Sequence, residues 1–242
     1  MLRSLYIAGT GMLVQRKKMD VITNNITNAE TAGYKKDTLL ARSFGDLLIT
    51  RMNDNQYIGP LNTGVHTDEV ITDFTQGNME QTEMLTDLAL QGQGYFTVST
   101  PRGERYTRDG SFAVSSNGYL MTSEGFPVLG NNGPVYVGNG EFGIDEKGNV
   151  SVNGKTTDRL RIVSFANPAA LRKEGGGLYA GAGAVRDDTT TVKQGFIESS
   201  NVDIAEEMIK MIEVSRSYDT NQRMVKMIDE SLGKAVNDVG RV

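Results

Sequence analysis

A chain of 242 residues, 38% hydrophobic and 23% charged, has enough material for one or two domains with a buried core. A formal net charge of −5 and a pI near 5.1 argue against general affinity for nucleic acid or anionic membrane, and the lack of cysteine excludes disulfides, thiolate metal sites and cysteine nucleophiles. The single histidine, His66, excludes any site needing two imidazoles from one chain, and no apolar run approaches the roughly 20 residues of a membrane span.

The first predicted element is a helix. Met1, Leu5, Ala8, Met12, Gln15, Met19, Ile22, Ile26 and Ala29 alternate spacings of four and three, and eight of these nine are apolar. That pattern is the a/d seam of a helix packed lengthwise on other helices. Gly9 and Gly11 each cost about 1 kcal/mol inside a helix, which the close approach of a neighbour would offset. The periodicity continues past Arg16-Lys17-Lys18. Met1 onward therefore reads as working protein, and any export is expected to proceed without signal cleavage.

Asparagine is a poor helix former, yet Asn24, Asn25 and Asn28 crowd the end of this helix. Asn25 flanks the seam, while Asn24 and Asn28 lie farther round. Their amides both donate and accept, so they are expected to bond to neighbouring chains. The plainer alternative is a fraying polar last turn stopped at Gly33.

Residues 1–35 thus form a helix and turn, and 36–64, polar and poorly periodic with Gly59-Pro60, read as an extended connector. Between 65 and 198, short alternating runs separated by glycine turns predict a β domain. Candidate strands are 88–90, 95–99, 104–107, 111–114, 119–122, 127–129, 141–144, 149–152 and 160–164. Gly110-Ser111-Phe112-Ala113-Val114 with Gly118-Tyr119-Leu120 reappears 30 positions later as Gly140-Glu141-Phe142-Gly143-Ile144 with Gly148-Asn149-Val150. Two copies are too few for a solenoid and read as two hairpins of one compact sheet structure. The last element, in 199–242, is a helix with a capping box at Ser200-Asn201-Val202-Asp203. Its stripe runs through Ile204, Met208, Met211, Tyr218, Val225, Ile228, Leu232, Ala235 and Val239, with one slip of phase near Asn221.

No motif points to catalysis. Gly175 to Gly183 lacks the Lys-Ser/Thr of a phosphate loop and reads as a flexible loop. Gln91-Gly92-Gln93-Gly94 is too short for a dinucleotide fingerprint and precedes a strand. Asp145-Glu146-Lys147-Gly148-Asn149 lacks the closing Glu of a calcium loop. Arg105, Arg108 and Asp109 read as surface charges. Catalytic, cofactor-binding and metal-binding residues are each expected to be none, and no cofactor is implied.

Three stretches resemble one family. Asn24-Asn25-Ile26-Thr27-Asn28 with Thr31-Ala32-Gly33-Tyr34-Lys35 is similar to the N-terminal signature of bacterial flagellar rod and hook proteins. Gly92-Gln93-Gly94-Tyr95-Phe96-Thr97-Val98, then Tyr106-Thr107-Arg108-Asp109-Gly110-Ser111-Phe112, resembles their β-domain core. Gln194-Gly195-Phe196-Ile197-Glu198-Ser199-Ser200-Asn201-Val202-Asp203, with Glu207, Met211, Ile212, Arg216, Tyr218 and Asn221, resembles their C-terminal axial signature. There is room for one β domain, which favours a rod protein over a hook protein. The distal-rod type is most similar, but the stretch 46–64 looks shorter than in many distal-rod proteins, which leaves the proximal-rod type open.

The resemblance implies an α+β chain whose N- and C-terminal axial helices pack as a coiled-coil-like layer, with a central mainly antiparallel β domain. It implies a structural subunit of the basal-body rod, polymerised into a hollow torque-transmitting drive shaft outside the cytoplasm. Its partners would be further copies of itself, other flagellar rod and hook proteins and the flagellar export apparatus, with no nucleic acid and no membrane insertion. The expected assembly interface is Leu5, Met12, Met19, Ile22, Asn24, Asn25, Ile26, Asn28, Gly33, Asn201, Val202, Met208, Met211, Ile212, Tyr218, Val225, Ile228 and Leu232. The alternatives are a β-rich adhesin or binding module on a helical stalk, with the glycine-rich loops as its binding surface, and a hydrolase using acids on the β domain.

Overall fold

The computed structural model describes residues 2–43, 47–50, 57–61, 64–138, 140 and 142–239. Met1 of the seam, Glu141 of an expected strand and residues 44–46, 51–56 and 62–63 of the expected connector lie outside them. The chain forms two compact units. The first gathers helix α1 (Leu2–Thr27), strands β1 (Asp37–Ser43), β2 (Leu47–Thr50), β3 (Tyr57–Leu61) and β4 (Val65–Thr72), and helix α2 (Ile204–Val239). The second holds Asn28–Lys36 and Asp73–Val202. The fold is α+β, with terminal helices and antiparallel strand pairing, as the sequence led us to expect.

In the first unit α1 and α2 pack lengthwise. Glu207, Met211, Val214, Tyr218, Asn221, Val225, Ile228 and Leu232 of α2 are buried or half-buried, and their spacing alternates four and three throughout. The expected slip of phase near Asn221 is therefore absent. Asn221 is a member of the seam, and Gly11 makes room for it: a Cβ on Gly11 would lie 3.0 Å from the Asn221 Nδ2. The close approach expected of both glycines belongs to Gly11 alone, since a Cβ on Gly9 would meet nothing within 4 Å.

The inner face of α1 is wider than an a/d seam, because α1 packs against β1 and β4 as well as α2. Ala8, Val14, Ile22 and Asn25 are buried. Strands β1 and β4 pair antiparallel from Asp37↔Thr72 to Ser43↔Val65, with a shift of register between Leu39 and Ala41. This corrects the expectation of a connector over 36–64 and of a β domain opening at 65. Burial alternates only over the first four residues of β1, and the exposed Arg42 and Ser43 hide the strand period. Strand β4 belongs to the first unit, and the second resumes at Asp73.

The cap of α2 also lies further along than expected. Asp203 Oδ1 accepts from the N–H groups of Ala205 (2.9 Å) and Glu206 (3.2 Å), so Asp203 is the N-cap. Ser200 Oγ instead accepts from the Val202 N–H at 3.2 Å. Glu206 and Glu207 sit in the first turn, where the helix dipole favours acids.

The second unit contains β5 (Met79–Gln81), β6 (Leu88–Gln91), β7 (Tyr95–Thr100), β8 (Gly103–Thr107), β9 (Phe112–Val114), β10 (Leu120–Thr122), β11 (Phe142–Ile144), β12 (Asn149–Val152), β13 (Lys155–Arg159), β14 (Ile162–Ser164), β15 (Arg172–Lys173), β16 (Leu178–Ala180), β17 (Val185–Arg186), β18 (Thr191–Gln194) and β19 (Phe196–Glu198). Its largest sheet runs β15-β16-β8-β7-β14-β17. The 30-residue repeat is realised as two hairpins in equivalent register: Val114 pairs with Leu120 and Ile144 with Val150. They lie in separate small sheets rather than one, yet Phe112, Leu120, Ile144 and Val150 share one apolar core. A second, aromatic core holds Tyr95, Tyr106, Phe165 and Tyr179. The expected flexible loop from Gly175 contains β16, whose Leu178 and Tyr179 are buried.

Candidate assembly interface

Three stretches far apart in the chain meet in the second unit. After α1, two successive turns form, with Asn28 C=O accepting from Thr31 N–H (3.1 Å) and Thr31 C=O from Tyr34 N–H (3.3 Å). Gly33 follows at φ +66°, and its N–H donates to Glu198 C=O at 2.7 Å. A side chain is excluded there, because a Cβ would overlap the peptide joining Arg108 and Asp109. This close contact sets Lys35 beside Glu198.

Lys35, Arg108 and Glu198 are all buried. Lys35 Nζ donates to Glu198 Oε1 and to Thr75 C=O (2.7 Å). Arg108 Nη1 donates to Glu198 Oε2 at 3.2 Å, its Nη2 reaches Gly92 C=O, and its guanidinium lies 5.2 Å from the Tyr95 ring centroid. The Gly77 N–H completes the carboxylate at 3.0 Å. Burial pushes the Lys35 pKa down against the opposing pull of Glu198. Burial also raises Tyr95 to about 12, with the Arg108 charge working the other way. One carboxylate thus bridges both cations and offsets one of their two charges, while the carbonyl oxygens of Thr75 and Gly92 take further N–H groups.

Asn201 fastens the same junction. Its Oδ1 accepts from Lys36 N–H at 2.8 Å and its Nδ2 donates to Asp73 C=O at 2.9 Å. Lys173 Nζ donates to Lys35 C=O at 2.8 Å and lies 3.8 Å from the Tyr34 ring centroid.

In the first unit Asn25 turns inward, with 1% exposure. Its Nδ2 donates to Asp37 C=O at 2.8 Å and its Oδ1 accepts from Asp37 N–H at 3.0 Å. The amide therefore pairs with a peptide as a neighbouring strand would, and it fixes the start of β1. The same Nδ2 donates to the buried Glu207 Oε2 at 3.1 Å, and Lys210 Nζ lies 3.0 Å from the other oxygen. The Asn25 amide, expected to reach a neighbouring chain, is thus engaged within its own. Asn24 is exposed, while Asn28 is half-buried and accepts from the Thr31 hydroxyl at 3.3 Å.

The remaining candidates divide by exposure. Ile22 is buried, and Leu5, Met12, Met19 and Ile26 are half-buried on α1. Met211, Tyr218, Val225, Ile228 and Leu232 form the inward stripe of α2, whereas Met208 and Ile212 are 52% and 54% exposed. Gly33 is buried and Asn201 and Val202 half-buried at the junction.

Sequence reasoning missed Lys35, Glu198 and Glu207 as partners. It also misread Arg108 as a surface charge. Arg105 does face outward, to Glu174 at 3.0 Å, but Arg108 faces in. Glu198 stands 163 positions from Lys35 and 90 from Arg108, so no local pattern joins them. Asp145, weighed as a calcium ligand, caps its own turn by accepting from the N–H groups of Lys147 (3.0 Å) and Asn149 (2.8 Å).

Three family models match in chain order: flagella basal body rod protein over residues 5–35, flagellar hook protein FlgE/F/G D1 domain over 89–152, and flagellar basal body rod FlgEFG protein C-terminal over 193–238. Each stretch carries one corner of the buried junction: Lys35, Arg108 and Glu198 respectively. Similar proteins include the flagellar hook-basal body complex protein FlhO of Bacillus subtilis, 31% identical with 100% of both chains covered. The flagellar basal-body rod protein FlgG of Borreliella burgdorferi is 36% identical with 98% of each chain covered, and FlgF of Caulobacter vibrioides 30% identical with 99% of this chain and 98% of its own covered. The chain belongs to the family of flagellar basal-body rod proteins and is a structural subunit of the rod.

Proposed function

We propose that the chain polymerises through the outer faces of its terminal helices into a hollow, torque-transmitting shaft. The observation that carries this reading is the apolar surface left on the helices after they pack. Tyr6, Ile7 and Leu13 on α1, and Ile204, Met208, Ile209, Ile212, Met224, Met227 and Val236 on α2, are all exposed. Along residues 3–27 of α1 and 204–237 of α2, the buried apolar side chains are Ala8, Val14 and Ile22. Such a thin core gains stability from every further chain that covers it. Met208 and Ile212 are the contact residues, while the inward stripe holds α2 on α1.

Met208→Glu with Ile212→Glu tests this. Each apolar side chain buried at an interface contributes about 1.5–3 kcal/mol, and a glutamate there adds an unpaired buried charge. The double variant should remain monomeric at concentrations where the wild type sediments as polymer, with the melting of the second unit unchanged. Wild-type polymerisation by this variant would refute the assignment.

In this reading the subunit is non-catalytic and meets other rod and hook proteins outside the cytoplasm. It leaves through the flagellar export apparatus. The support is its place among the flagellar basal-body rod proteins. A chain that still reaches basal bodies in cells whose flagellar export apparatus is disabled would contradict the export route.

A further inference from the structure

The turn between β5 and β6 holds two apolar side chains out in solvent. Met84 is 63% and Leu85 53% exposed, while Leu88, Ala89 and Leu90 just beyond are buried. The turn is firmly tied. The N–H groups of Thr82 and Glu83 both donate to Gly195 C=O at 2.9 and 3.3 Å. Asp87 N–H donates to Met84 C=O at 3.1 Å, and Gln194 Nε2 to Leu85 C=O at 2.7 Å. Glu83 is held at φ +61°, a left-handed conformation that a residue with a side chain enters at a cost. Scattered single apolar residues on a surface are ordinary. Two adjacent ones on a strained, tethered turn form a knob of fixed shape.

A hollow of matching character lies on α2. Met224, Met227, Ile228 and Ser231 line a surface cavity of about 230 Å³, with Met224 44% and Met227 60% exposed. The rims are complementary in charge. Exposed Glu80 and Glu83 flank the knob, and exposed Arg223 and Lys226 flank the first turn of the hollow, with Asp229 and Glu230 beyond it.

We propose that Met84 and Leu85 of one copy seat in the hollow at Met224, Met227 and Ile228 of another copy, with Glu83 facing the Arg223 and Lys226 rim. This deepens, and rests on, the reading of the chain as a polymer subunit. Knob and hollow are different patches, so the contact is heterologous. Repeated from copy to copy, it extends an open array instead of closing a dimer.

The cysteine-free sequence gives a clean test. Full-length L85C and M227C chains of distinguishable mass are mixed at polymer-forming concentration and treated with a short bismaleimide. The expected product is L85C joined to M227C, in excess over either homodimer. Met84→Ser with Leu85→Ser should leave the melting temperature unchanged. It should raise the polymer-forming concentration by at least about tenfold, the equivalent of about 1.4 kcal/mol. Glu83→Lys should weaken assembly, and adding Arg223→Glu and Lys226→Glu should restore it. Polymers in which L85C couples only to itself, or not at all, overturn the knob contact and leave the polymer reading standing. A wild-type chain that forms no polymer overturns both.

Discussion

Asn25→Ala isolates the difference between a helix-stop residue and an internal strap. The substitution removes the amide that brackets the Asp37 peptide and reaches Glu207. A buried polar group left unpaired costs roughly 1–3 kcal/mol, and a hydrogen bond to a charged group contributes about 1.5–3. Asp37 is half-buried, so water takes up part of its loss. Against this, alanine gains at most about 0.7 kcal/mol in helix propensity. The balance is a destabilisation of about 2–4 kcal/mol. For a chain of this size that corresponds to a fall in melting temperature of roughly 5–15 °C, followed by far-UV circular dichroism, which reads α1 and α2. Asn25→Asp should cost more, because it keeps the shape, loses the donor and turns a second carboxylate toward Glu207. Glu207→Gln should relieve part of that excess. Asn24→Ala, on the exposed face, should stay within about 0.5 kcal/mol. If Asn25→Ala melts at or above the wild-type temperature, the strap does not exist and Asn25 is only a polar residue near a helix end.

Gly33→Ala should destabilise the second unit by more than about 3 kcal/mol, combining a left-handed backbone with overlap on the Arg108 peptide; urea unfolding read by tyrosine fluorescence checks it. Glu198→Gln leaves Lys35 and Arg108 as two buried cations and should cost about 3–5 kcal/mol, with part recovered by adding Lys35→Met in a double-mutant cycle. Tyr95 should set an alkaline limit. Its folded pKa is raised to about 12, so above the ordinary value of 10.0 the unfolded chain ionises first and stability falls until pH 12. At about 1.36 kcal/mol per unit the loss approaches roughly 3 kcal/mol. Tyr95→Phe should abolish that loss in melts across this range. Lys35 has the opposite sign: with its folded pKa lowered, stability rises with pH through that value up to 10.5, and Lys35→Met should remove the rise.

The sequence by itself determined the class of fold, because local periodicity is a local property. Alternation located β6 to β12 within a residue or two, with β11 described from Phe142, and the 30-residue repeat foretold equivalent hairpins down to their register. The four-three spacing of apolar residues identified both helices, but α1 ends at Thr27, six residues before the Gly33 read as its stop, because two turns intervene. Only the tertiary structure decided which stripe of α2 faces inward. Hydrophobicity marks Met208 and Met211 alike, but Gly11 admits Asn221 and so rotates the seam to include it. It likewise decided that β1 pairs with β4, a ladder whose exposed residues carry no period. The charged junction lay furthest from view. A lysine, an arginine and a glutamate scattered along a chain look like surface residues until folding removes water from all three, and then each is stable only because the others are there.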